Sequence, residues 1–133
     1  EVFEQVGLLD EGYFLYFEEL DFCDRARRAG WEVWHVPRSR VVHLEGAATG
    51  IGQQRRRPGY WYESRRRYFL RQHGLLRWLA ADVAWAIGRA SLQLRRLLRL
   101  GGSTDGDPKC FAFDLLIGDL RALLRGEPWR LMR

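Results

Sequence analysis

The sequence predicts a mixed α/β region followed by a mostly helical extension, with the change near residue 60. Three observations carry this expectation. An acid-led helix ending in glycine is followed by two short β-branched runs, and beyond about Tyr60 the apolar residues recur at helical spacing alone. The domain division that follows is 1–59 for the mixed region and 60–133 for the extension.

The first helix is expected from about Glu18 to Ala29. Leu20, Cys23 and Arg27 share one face, acids begin it, arginines finish it, and Gly30 stands where a left-handed residue ends helices. "WEVWHVP" is rich in β-branched and aromatic residues and stops at Pro37, as a strand end does. "VVHL" reads as a second strand, and "EGAATGIGQ" as the small-residue loop after it.

In the extension, Trp61, Arg65, Tyr68 and Gln72 define a helix that ends at Gly74, and a longer one is expected from Leu75 to about Leu100. On that second helix Leu76, Leu79, Val83, Ile87, Ala90, Leu94 and Leu97 form an apolar stripe. Arg77, Arg89, Arg95, Arg96 and Arg99 gather opposite, with Trp78 and Trp85 among them. "GGSTDGDP" reads as a linker. A last helix, about Phe111 to Leu124, carries Phe113, Leu116, Ile117, Leu120 and Leu124 on one face until "RGEPW" breaks it.

At 133 residues and 47% hydrophobic content the chain can form a core, which excludes a disordered protein. It opens on Glu1 as though in the middle of a packed unit, so a longer protein is expected. Of 22 basic residues all but Lys109 are arginine, and against 17 acids they give a net charge of +5. That bias suits an anionic partner: a phosphorylated substrate, an acidic membrane surface or nucleic acid. Cys23 and Cys110 form no paired motif, so neither zinc nor a disulfide framework is indicated and a cytoplasmic setting is the default. No apolar run reaches the roughly 18 residues a bilayer span requires.

The chemistry-bearing stretch is "FLYFEELDFCDRARRAG". Glu18 and Glu19 at a helix start could serve as base and orienting group if both project into a cleft, with Asp21 two residues on. Acidic helix starts also arise simply to complement the dipole. His43 lies on the opposite strand face from Val42 and Leu44, just before the glycine-rich loop, whereas His35 and His73 read as ordinary packed or solvated residues.

The run "VGLLDEGYFLYFEELDFCDRARRAGWEVWHVPRSRVVHLEG", Val6 to about Gly46, resembles the second half of the catalytic domain of family 2 glycosyltransferases, especially rhamnosyltransferase-like enzymes that extend lipid-linked or cell-wall glycans. The family pattern runs G-x-x-D-E-x-F-F-x-Y-x-E-D-x-D-x-x-x-R, then a helix ending in Gly, a strand ending in Pro and a strand ending in His. From Gly46 onward the resemblance is looser. It implies the C-terminal part of a GT-A, Rossmann-like α/β domain and inverting transfer of a sugar from a nucleotide-diphosphate donor to a hydroxyl of a glycan or lipid-linked acceptor. Glu19 then matches the catalytic base, beside Glu18 and Asp21. His43 matches a residue that helps hold a divalent metal, Mg or Mn, at the donor diphosphate, and Asp10 and Glu11 match a pair that shapes the acceptor side. The base position is often Asp in the family; Glu is one methylene longer, so the backbone must sit back or the cleft must differ. No Asp-x-Asp metal motif or nucleotide-binding βαβ pattern is present, so the isolated chain is expected to be inactive.

Arg55, Arg56 and Arg57 in "QQRRRPGYW" are candidates for a donor or acceptor diphosphate, since guanidinium forks match phosphate oxygens; a solvated charge run is the bland alternative. The Leu75–Leu100 pattern suits a helix in the headgroup layer of an anionic membrane, at the inner face of the cell membrane, although an ordinary packing helix can share it. Nucleic-acid binding is the rival class, disfavoured because the arginines are spread over several elements and leave the acidic doublet unexplained. A non-catalytic helical adaptor is the third reading.

Overall fold

The computed structural model describes residues 1–42, 56–101 and 108–132. It comprises five helices: α1 (Val2–Val6), α2 (Glu18–Arg28), α3 (Gly59–Leu97), α4 (Phe111–Leu124) and α5 (Glu127–Leu131). Helix α3 is broken at Gly74, whose φ of 79° and ψ of 174° are not helical. A straight helix would hold Arg65 and Asp82 about 25 Å apart. They are ion-paired, so the chain reverses at Gly74 and the two halves of α3 form a hairpin. Glycine meets this geometry because the positive φ disfavours any residue with a Cβ. Helices α4 and α5 pack on the hairpin, and α2 packs on it separately.

The interior of this hairpin is unusually polar. Trp78, Leu70 and Leu115 are fully buried, and beside them lie Arg65, Arg66, Asp82 and Asp119. Arg66 Nε donates to Asp119 at 2.9 Å, and its NH1 reaches Glu127 of α5 at 3.4 Å. Arg65 pairs with Asp82 and stands 3.6 Å from Asp119. Consecutive helical residues diverge by about 100°, so adjacent arginines in "RRR" point to different elements. Arg65 serves the hairpin partner, Arg66 serves α4 and α5, and Arg67 turns to Asp10.

Burial, then the neighbouring Asp82 carboxyl, push Asp119 up from its usual 3.8 to about 7, against the pull of Arg66. A raised carboxyl stabilises the fold in its protonated form. That contribution is complete below about pH 4 and is lost as pH rises through about 7. Asp114 and Asp10 act oppositely. The Arg56 hydrogen bond holds Asp114 below the usual range; burial works to raise Asp10, but the Gly12 amide, Arg67 and Arg71 outweigh it. Their contribution is present above about pH 4 and fades below it. Tm is therefore expected to fall between about pH 4 and pH 7 and to level off above, and Asp119→Asn to flatten that slope; a thermal melt series with identical slopes would reject the assignment.

The expected α/β architecture is not found. No strand occurs among the described residues, so the chain there is helical rather than Rossmann-like. Residues 31–36 are irregular, with a turn closed by the Ser39 amide on the Val36 carbonyl, and 41–42 are irregular too. A β-branched run becomes a strand only when a neighbour supplies the ladder, and no described segment does so. Trp34 is 75% and Val42 is 90% exposed, and the Trp34 indole donates only to nearby Glu32. His43, Leu44 and the glycine-rich loop lie outside the described residues.

The helical expectations fare better. Helix α2 stops one residue short of Ala29, α4 spans Phe111–Leu124 as expected, and the second half of α3 stops at Leu97 rather than Leu100. "RGEPW" ends α4 but also begins α5: Gly126 is left-handed, and Pro128 sits in the first turn, where its missing N–H costs nothing. Trp78 and Trp85 do not face outward with the arginines of their helix. Trp78 is fully buried and Trp85 packs on Phe111, while Leu76, Val83, Ile87, Leu94 and Leu97 are exposed. The helix buries Trp78 and Asp82, half-buries Trp85 and Arg89 on the same line, and leaves most of its apolar stripe exposed.

Candidate functional site

The segment 10–21 is bound to the first half of α3 at both ends, and each end consumes a carboxylate. Asp10 accepts the Gly12 amide at 2.8 Å, both Arg67 nitrogens at 2.8 to 3.2 Å and Arg71 at 2.8 Å. Gly12 leaves room beside it: a Cβ there would stand 2.2 Å from the Arg67 guanidinium, which would have to shift from its place on Asp10. Asp21 is 2% exposed and accepts from the Tyr13 hydroxyl at 3.3 Å, Arg25 Nε at 2.8 Å and the Gln72 amide. Arg25 also donates to the carbonyls of Val6 and Leu8, which fastens the chain before the acidic run onto α2. Burial, then the charge of Asp21, raise the Tyr13 phenol, so it remains the donor in that bond throughout the physiological range.

Between these anchors the backbone is strained. Tyr16 and Phe17, immediately before α2, both adopt left-handed conformations with φ of 71° and 70°. For residues bearing a Cβ this costs on the order of 1 to 3 kcal/mol each, and it persists only where the surroundings over-determine it. Here they do. The Phe17 ring packs on Trp61 and Tyr68 with centroids 5.7 and 5.6 Å away, Tyr16 stacks on Tyr60, and Ser64 Oγ donates to the Leu15 carbonyl at 2.9 Å. The aromatic run before the acids is thus the clamp that fixes where α2 begins.

Glu18 and Glu19 occupy the first turn of that helix, where the dipole favours negative charge. Glu18 is partly buried, and its Oε2 is shut away without a hydrogen-bond partner. Glu19 is exposed and makes no hydrogen bond or ion pair among the described residues. The remaining acid of the helix, Asp24, accepts the Tyr68 hydroxyl at 2.7 Å. The fold therefore spends Asp10, Asp21 and Asp24 on its own assembly and leaves Glu19 at the surface. Glu11 is exposed as well.

The other sequence candidates lie apart or out of view. Arg56 is locked in a bidentate pair with Asp114 of α4, and Arg57 lies over the Trp61 ring at 4.8 Å. Arg55 and His43 fall outside the described residues. Among the described residues no three His, Cys, Asp or Glu side chains lie together as a metal-holding group, so they do not form a metal site by themselves. No described helix is long and apolar enough to cross a membrane. Sequence reasoning missed the clamping role of Asp10 and Asp21. The signal available was the matching arginine triplet and Gln72, but only the fold pairs them.

Comparison with known proteins finds similarity to glycosyltransferases. The chain is 34% identical over 101 residues to the N-acetylglucosaminyl-diphospho-decaprenol L-rhamnosyltransferase of Mycobacterium tuberculosis, a match covering 76% of this chain and 32% of that protein. It is 63% identical over 27 residues to the low-salt glycan biosynthesis hexosyltransferase Agl10 of Haloferax volcanii, covering 20% of this chain and 9% of that one. The chain thus spans about a third of the length of the rhamnosyltransferase it matches. No family model matches, and no solved structure matches.

Proposed function

We propose that this chain is the acceptor-side portion of an inverting glycosyltransferase that moves a sugar, a hexose or deoxyhexose such as rhamnose, from a nucleotide-diphosphate donor to a hydroxyl of a glycan or lipid-linked acceptor. The observation that carries it is Glu19: in a run where Asp10, Asp21 and Asp24 are consumed by the fold, this carboxylate of the α2 start is exposed and makes no hydrogen bond or ion pair among the described residues, on a helix start pinned by a strained aromatic clamp. The similarity to two sugar transferases supports the reaction class.

In this reading the acceptor hydroxyl hydrogen-bonds to Glu19. As its oxygen attacks the anomeric carbon from the face opposite the leaving nucleoside diphosphate, the proton passes to the Glu19 carboxylate. One C–O bond forms as the other breaks, so the anomeric configuration inverts. Glu18 assists within the doublet, Asp21 is a positioning residue, and Asp10 and Glu11 shape the acceptor side. A divalent ion, Mg or Mn, would be held in part by His43 and would offset the charge of the leaving diphosphate. By itself the 133-residue chain is expected to turn over no donor, because it spans about a third of the matched rhamnosyltransferase.

The test is the stereochemistry of the product. The full-length enzyme, given nucleotide sugars and a polyprenyl-diphospho-sugar, should yield a product whose anomeric proton and carbon signals report inversion, with turnover lost on adding EDTA. Retention, or no transfer from any donor, would overturn the reading.

The second half of α3 adds the surface on which this reaction occurs. Asp82 is the one acid between Arg65 and Leu100, and it is buried. The exposed side therefore presents leucines and arginines, including Arg77, Arg95 and Arg99, without a competing negative charge, the complement of an anionic lipid surface. This surface supports the reading that the enzyme rests at the inner face of the cell membrane. The full-length enzyme should float with vesicles containing phosphatidylglycerol at low salt and not with neutral vesicles. Replacing Leu76, Ile87 and Leu97 together with Ser should abolish flotation; persistence would instead assign the stripe to packing within the longer protein.

A further inference from the structure

Two adjoining cavities in the helical extension carry complementary chemistry. The first, about 520 Å³, lies between the start of α3 and helices α4 and α5, and five arginines line it: Arg56, Arg57, Arg66, Arg121 and Arg125. Three of these are already committed. Arg56 holds Asp114, Arg66 holds Asp119 and Glu127, and Arg125 stands 3.9 Å from Glu127. Arg57 and Arg121 have no carboxylate partner among the described residues, and Arg57 Nε is buried without any hydrogen bond. Gly118 forms part of the wall, where a Cβ would come within 3.2 Å of Arg66.

The second cavity, about 470 Å³, is lined by Trp61, Trp85, Phe111 and Pro108 and meets the first at Arg57 and Phe113. A pocket with more arginines than carboxylates, its acids being Glu63, Asp114 and Glu127, thus adjoins a mainly aromatic one that also carries Arg89, with Arg57 in the wall of both. The ligand that satisfies both halves at once is an amphiphile with a compact polyanionic head and an apolar tail.

We infer that these joined cavities bind a prenyl diphosphate, with the diphosphate between Arg57 and Arg121 and the first isoprene units against Trp61, Trp85 and Phe111. Guanidinium forks match the diphosphate oxygens, and flat aromatic walls suit a branched unsaturated chain. This deepens the proposed function, on which it rests for the identity of the ligand: the lipid-linked acceptor would be held by its diphosphate in the helical extension. The arginine cavity also shares Glu63, Arg66 and Glu127 with a smaller cavity of about 170 Å³ lined by Gly12 and Phe14, which leads toward the segment before α2.

The experiment uses tryptophan fluorescence of the full-length protein, titrated separately with farnesyl diphosphate, farnesol, inorganic diphosphate and dTDP. Farnesyl diphosphate should quench with at least tenfold higher affinity than inorganic diphosphate, and farnesol should not saturate. The Arg57→Gln/Arg121→Gln double variant should lose farnesyl diphosphate binding at least tenfold while keeping the wild-type Tm and its dTDP affinity. Unchanged farnesyl diphosphate binding in the variant, or an equal loss of dTDP binding, overturns the inference. A variant that melts early is replaced by Arg121→Gln alone, for which the same two outcomes decide. If farnesyl diphosphate binds as described but no sugar is ever transferred, the glycosyltransferase reading fails and the cavity stands. If transfer occurs and farnesyl diphosphate does not bind, the reverse holds.

Discussion

Glu19→Gln in the full-length enzyme is expected to lower kcat by about 10²- to 10⁴-fold while leaving Tm within a degree or two of wild type. The rate effect follows from general-base catalysis, which contributes about that much when a positioned carboxylate takes a proton in the transition state. The amide keeps the size and polarity of the side chain but cannot accept the proton. The unchanged stability follows from the structure, because Glu19 is exposed and makes no bond that the fold depends on. Asp21→Asn provides the contrast. Asp21 is buried and gathers Tyr13, Arg25 and Gln72, so its amide variant should lose stability, and any loss of kcat should accompany the lower Tm. Glu18→Gln should fall between them, since one of its oxygens is already enclosed and unpaired. Turnover by Glu19→Gln within threefold of wild type, at unchanged Tm, would remove Glu19 from the chemistry and with it the central claim of the proposed mechanism.

Features set by local rules were legible in the sequence. Gly74 ends a helical run because its positive φ is available to glycine, and Phe111–Leu124 forms because its spacing is helical whatever surrounds it. Features set by partners were not. "WEVWHVP" has strand composition, but composition cannot supply a neighbouring ladder, and the segment stays irregular with Trp34 in solvent. The helical wheel of the second half of α3 contained two separable lines. Hydropathy alone favours burying the leucines, whereas the fold buries Trp78 and Asp82 and packs Trp85 on Phe111, because Asp82 finds Arg65 across the hairpin. For the site, the acidic doublet was visible at once. Which acids would be consumed by folding was not, because the donors that consume them, Arg67, Arg71, Gln72 and Tyr68, arrive from about fifty residues downstream.

Trp78→Ala is expected to destabilise the helical extension by about 3 to 5 kcal/mol, the usual cost of truncating a large buried aromatic. The indole is fully buried, at 0% exposure, in an interior that also holds Arg65, Arg66, Asp82 and Asp119. A cavity there removes apolar contact and also weakens the low-dielectric setting in which Arg65, Asp82 and Asp119 are held together. Domains of this size hold only about 5 to 15 kcal/mol in total, so the loss should appear as a large drop in Tm or as failure to accumulate folded protein. Leu76→Ala, two residues earlier on the same helix, removes a smaller, aliphatic side chain from a position that is 82% exposed. Exposed substitutions away from bonded networks stay within about 0.5 kcal/mol, so its melt should overlay wild type. The pair separates the two lines of the helix by urea denaturation: a large fall in midpoint for Trp78→Ala beside none for Leu76→Ala. Equal losses would mean that the apolar stripe is buried in solution and that the hairpin packs the other way round, which would also remove the lipid-facing surface proposed for it.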